Sequence, residues 1–233
     1  IRQNALDSLV AQEYANVLQK TYNTTAKSSF DAFETFRNAL MRQTPIQTTF
    51  PTSNLAQSLL AIAKVMSVRE YLGAKRQIFF VQYGGWDMHD DLLNGLNQRL
   101  PVVSSALHAF YRATQELGIQ NQVTTFTISD FARTITSNGQ GSDHAWGGNS
   151  MIMGGAVQGG RVVGAYPRLA INNTNPFNVS FRGNFIPAVS TDEMYAELAL
   201  WYGVPPNDLP YILPNIGNFY QYSSTQRPVG FMA

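Results

Sequence analysis

At 233 residues the chain is long enough for one large domain or two small ones, with a substantial core. Only 13% of its residues are charged, and a net charge of +1 without any run of Lys or Arg argues against a nucleic-acid face or a patch for an anionic membrane. Cysteine is absent, which excludes disulfides, thiolate zinc sites, iron–sulfur clusters and a cysteine nucleophile.

Residues 4–20, "NALDSLVAQEYANVLQK", carry Leu6, Leu9, Val10, Tyr14, Val17 and Leu18 at helical spacing. A second helix is expected over 29–42. After the link "TPIQTTFPTSN" a third runs from about Leu55 to Leu72, with Gly73 as its stop signal. "QIFFVQ" (77–82) is short, apolar and rich in β-branched and aromatic residues, so it predicts a buried strand. Residues 102–117 return to helix, with Pro101 near the start, and "QVTTFTIS" (122–129) reads as another strand. Strand, helix, strand at this spacing predicts a βαβ unit with two parallel neighbours.

The stretch 137–167 is glycine-rich, with "SMIM" and "RVVG" as short strands inside it. A helix is expected over 191–203 with Thr191 as N-cap, followed by a Pro-rich tail of little periodicity. No run approaches the roughly 18–20 apolar residues of a membrane span, so none is expected. The economical organisation is one α/β domain over 1–233, or the C-terminal part of one, with a helical segment at 1–75 and a sheet-containing core at 76–233. The chain starts at Ile1 rather than Met, so a targeting segment is expected to have been removed or to lie outside this fragment.

In parallel α/β sheets ligands bind beyond the carboxyl ends of the strands. The strand at 77–82 leads into "YGGWDMHDD", where Gly84 and Gly85 permit a sharp turn and Trp86 would wall a cleft. Asp87 and His89, two apart in extended backbone, project to one side and suit one metal ion. Asp130, at the end of the second strand, and His144, in the glycine-rich loop, could complete the site or help share two ions. Carboxylate and imidazole suit zinc, manganese or iron, and Arg133 is a candidate clamp for an anionic group.

Plainer readings exist for each residue. Asp87 and Asp90 could cap turns, Asp130 and Arg133 could pair at a helix start, and His144 could pack beside Trp146. His108 has no assigned role. No G-x-S-x-G elbow is present for a serine nucleophile, and the glycines match no phosphate-binding loop.

"GGWDMHD", "TISDFARTITSNGQGSDHAWGGNSMIMGGAVQGGRVVGAYP" and "RGNFIPAVSTDEMYAELALWYGV" follow one another as in a bacterial family. The chain resembles the C-terminal half of domain-of-unknown-function family 1501, which is grouped with the alkaline phosphatase and sulfatase superfamily. The resemblance implies an α/β/α sandwich around a mostly parallel sheet, with extra N-terminal helices, and export to the periplasm or the medium. It implies one or two divalent ions on Asp87, His89, Asp130 and His144, and a small phosphate or sulfate ester as substrate, with Arg133 near it. Two departures stand out: Asp87 and His89 are two apart where the superfamily usually has four, and Phe131 stands where His or Asn usually follows the later aspartate. The superfamily's first aspartate has no match, which implies a partner chain carrying the other half, or a homo-oligomer. A metal-dependent hydrolase-like protein is the first expectation. The alternative is a non-catalytic structural or assembly component of the cell envelope.

Overall fold

The computed structural model describes residues 8, 11–12, 14–222 and 226–233. Much of the helix expected over 4–20 lies outside the described residues. Its last residues open α1 (Val17–Leu40), which runs without a break through the helix expected over 29–42. The side chain of Asn16 caps α1 by accepting the N–H groups of Leu18 and Gln19. α2 (Asn54–Ser67) is followed by turns that end at Gly73, whose φ of +61° is the left-handed conformation that favours glycine.

α3 (Leu92–Glu116) starts ten residues before the expected helix, and Pro101 sits inside it. Then come β1 (Thr124–Phe126), β2 (Ala132–Arg133), β3 (His144–Ala145), β4 (Ile152–Gly154), α4 (Thr191–Tyr202) and α5 (Leu209–Ile212). Ser190, one residue earlier than expected, caps α4 through a reciprocal pair: its hydroxyl accepts the Glu193 N–H, and Glu193 accepts the Ser190 N–H.

The chain forms two compact units, Ile1–Ile46 with Leu60–Phe79, and Gln47–Leu59 with Phe80–Ala233. In the first, Ala39, Ala63 and Val68 are buried, and the Arg42 guanidinium lies 5.2 Å from the Tyr71 ring centroid. In the second, α3 buries Val103, Ala106, Ala109, Phe110 and Ala113, a stripe at helical spacing. Ala196, Leu209 and Ile216 form one apolar cluster. Leu198, Phe231 and Met232 form another, with Ile152 of β4 packed against it. The Pro-rich tail therefore supplies core side chains despite its weak periodicity, and full burial of Leu209 or Ile216 contributes about 1.5–3 kcal/mol each.

The sheet expected from the sequence is not the one formed. Among the described residues there are two sheets of two strands each, both antiparallel: β1 with β4, and β2 with β3. This overturns the α/β/α sandwich, its mostly parallel sheet and the βαβ unit. The stretch 77–82 forms no strand, and Ile78 and Phe80 are 84% and 76% exposed. A strand buried on both faces would hide those side chains. "QVTTFTIS" contributes only Thr124–Phe126 to a ladder, and its partner is the "SMIM" region, while "RVVG" forms no strand.

Candidate metal centre

Two segments build the site. The first, residues 86–91, follows Gly85, whose φ of +86° is the left-handed conformation that favours glycine. Met88 is buried against the bare face of Gly95 in α3, so its neighbours Asp87 and His89 project outward together, as the two-residue spacing requires. The second is the β2–β3 hairpin, in which Arg133 pairs with His144 across the ladder. Inside its loop Asn138 accepts the N–H groups of Gln140 and Gly141, a side-chain-closed turn that makes "SNGQGSD" compact.

Hydrogen bonds fasten segment to hairpin. Arg133 donates to the carbonyls of Trp86 and Ser142, Asn138 Nδ2 donates to the His89 carbonyl at 2.8 Å, and the Leu92 N–H donates to Gln140 at 3.3 Å. Gly141 lies directly under the loop, where a Cβ would come within 2.5 Å of the His89 carbonyl oxygen. Gly141→Ala must push that backbone away, so it is expected to weaken any uptake of added zinc while costing about 1–3 kcal/mol of stability. Calorimetric titration beside a urea melt checks this, and unchanged zinc affinity would show that the loop can shift without harm to the site.

Asp87 Oδ1 is the point of convergence. It lies 2.7 Å from His144 Nε2, 3.1 Å from His89 Nε2 and 3.8 Å from Arg133 Nη2. One ligand atom from each of Asp87, His89 and His144 falls within 4.8 Å of the others, so together they could hold a metal ion. All three side chains are open to solvent, between 45% and 62% exposed. The hydrogen bond with His144 holds the Asp87 carboxyl below the ordinary carboxylate range; loss of hydration opposes this, and the charges of His144, His89 and Arg133 assist it. A depressed carboxyl keeps its charge until pH falls through the lowered value.

The structure thus brings together Asp87, His89, His144 and Arg133. It leaves Asp130 exposed and outside the group. Arg133 does not pair with Asp130; it meets two carbonyls, Asp87 and the Phe131 ring, whose centroid is 4.9 Å from its Cζ. Phe131 also stacks flat on His144, with centroids 3.8 Å apart and planes 8° from parallel, so an aromatic ring holds that imidazole. Trp86 donates its indole N–H to the Tyr83 carbonyl and meets the Tyr83 ring edge-on.

Three further residues shape the site. Asp143 contacts His89, Arg182 pairs with Asp143, and Asn138 supports both Asp143 and the His89 backbone. The hydrogen bond with His89 holds the Asp143 carboxyl below its ordinary range; desolvation opposes this, and Arg182 and Asn138 assist. Asp143 was visible beside His144 in the sequence, but nothing local connects Arg182 to it.

A family profile described as "Protein of unknown function (DUF1501)" matches residues 4–185, a stretch that holds Asp87, His89, Asp143, His144 and Arg182. No curated protein and no solved structure matches the chain.

Proposed function

We propose, for a chain that belongs to the DUF1501 family, that it is a metal-dependent hydrolase-like protein acting on a small phosphate or sulfate ester. The observation that carries the metal is the convergence of one carboxylate oxygen and two imidazole nitrogens in an exposed group. That donor set fits zinc, manganese or iron, and its openness leaves room for a substrate oxygen, as catalytic centres require. Asp130 lies apart, which favours one ion over two. A divalent ion there would supply Lewis acidity toward an ester oxygen.

The ester class and an exported location come from the resemblance to the phosphatase and sulfatase superfamily. Within this chain, Asp87 offsets cationic charge, and Phe131 fixes the plane of His144. Arg133 keeps a positive charge 3.8 Å from Asp87 while part of its donor fork ties the loops, so its remaining donors can face an anionic group.

The protein incubated with zinc or manganese and then desalted is expected to retain one equivalent by elemental analysis, and to hydrolyse p-nitrophenyl phosphate or p-nitrophenyl sulfate. Retention of neither ion would defeat the proposal. A second reading, a non-catalytic assembly component of the cell envelope, is favoured by the apolar side chains that α1 leaves exposed, among them Leu18, Tyr22 and Phe33. Stoichiometric metal without turnover of either ester would support that reading.

A further inference from the structure

We propose that Asp143, braced by Arg182, is the positioning residue that decides which ring nitrogen His89 offers to the metal; the inference rests on the metal-centre reading above. His89 lies between two carboxylates. Its Nε2 faces Asp87 Oδ1 at 3.1 Å, inside the convergent group, and its Nδ1 faces Asp143 Oδ1 at 3.3 Å, outside it. An ionised carboxylate only accepts hydrogen bonds. With Asp87 itself given to the ion, Asp143 is the carboxylate left to accept a hydrogen bond from a proton on Nδ1, which leaves the Nε2 lone pair for the ion. A carboxylate behind an imidazole ligand fixes ring orientation and raises ligand basicity.

The surroundings make Asp143 a fixed acceptor rather than a mobile one. Its other oxygen, Oδ2, is 2.6 Å from Arg182 Nη2 as an ion pair. Its backbone N–H donates to Thr134 Oγ1 and its carbonyl accepts from the Thr134 N–H. Asn138 Nδ2 reaches the same Oδ1 at 3.5 Å while also holding the His89 carbonyl, so the ring's backbone and its acceptor share one support. Arg182 is itself placed, since its carbonyl accepts both the N–H and the hydroxyl of Thr136.

The two histidines are thus oriented by different means. His144 has the Phe131 ring against its face, whereas His89 has an acceptor at the nitrogen opposite the group. Only His89 should respond to the loss of Asp143.

Zinc titration of the full chain, read by calorimetry, tests this with Asp143→Ala, Asp143→Asn and Arg182→Ala. Asp143→Ala is expected to weaken zinc binding about 10–100-fold. Asp143→Asn, whose amide oxygen still accepts the Nδ1 proton, should stay within a few-fold of wild type, and Arg182→Ala should fall between. Nitrogen-15 spectra of the zinc-loaded protein should show His89 bound through Nε2 in wild type and in Asp143→Asn, and a mixture of ring nitrogens in Asp143→Ala. An Asp143→Ala protein that binds zinc as tightly as wild type, or an Asp143→Asn protein as weak as the alanine variant, would overturn the positioning role alone. A wild-type chain that takes up no zinc would overturn the metal centre and this role with it.

Discussion

Asp87→Ala is expected to abolish stoichiometric zinc uptake while leaving the fold in place. The carboxylate is the shared partner of both imidazoles, and its Oδ1 contacts each Nε2 within 3.1 Å. Without it, two histidine rings with centroids 4.9 Å apart face each other beside a guanidinium, and no carboxylate remains inside the convergent group to offset an incoming cation. The loss should exceed the roughly 10–100-fold typical of changes one layer further out. Asp87→Asn should fare little better, because an amide preserves shape and supplies no charge. Stability should change little, since the Asp87 side chain is 62% exposed and its ion pairs are screened by water. Calorimetry with zinc and a thermal melt on the same sample separate the two effects. Zinc affinity that survives within about tenfold would mean the metal is held elsewhere.

Glu197→Ala should do the opposite and unfold the protein readily without touching the site. Glu197 is fully buried, and its carboxylate accepts three backbone N–H groups from the chain end. Oε2 takes those of Val229 and Gly230, and Oε1 takes that of Met232, all within 2.7 Å. Leu198, Phe231 and Met232 pack nearby as an apolar cluster, so alanine would strand these donors where water is scarce. Each orphaned N–H costs about 1–3 kcal/mol, so the total is on the order of several kcal/mol against a typical stability of about 5–15. Glu197→Gln keeps one oxygen but turns an amide donor toward the other N–H groups, so it should lose a substantial part of that. Urea unfolding of the full chain measures both. A midpoint shift no larger than that of an exposed substitution would show that the tail is held by its apolar side chains instead.

The parts of the site legible in the sequence are those set by local geometry. Asp87 and His89 flank a methionine that must be buried, so their common direction follows from spacing alone. His144 could be named because it lies in the glycine-rich stretch beside an aspartate. Arg182 could not: it meets Asp143 across 39 positions of sequence (182 less 143), through a contact no periodicity encodes. The fold failed for a related reason. Apolar composition marked 77–82 as a buried strand, but a ladder needs a partner, and composition alone does not say whether one is in reach. Thr124–Phe126 pairs forward with Ile152–Gly154, and three-residue strands leave almost no signature of that choice. Pro101 misled in its own way, since proline is so often a first-turn residue that its place inside α3 hid the ten residues before it.

The apolar stretch at 77–82 also bears on how the chain behaves in a crowded solution. Gln77–Gln82 carries no charge and no proline, and it shows Ile78 and Phe80 to solvent, so copies that collide there have every reason to zip together. Lys75 and Arg76 stand immediately before it as gatekeepers, because side-by-side copies in register would stack their positive charges. That protection is electrostatic, and at molar salt the screening length shrinks to about 3 Å. Raising the salt concentration is therefore expected to shorten the time that concentrated protein remains dispersed.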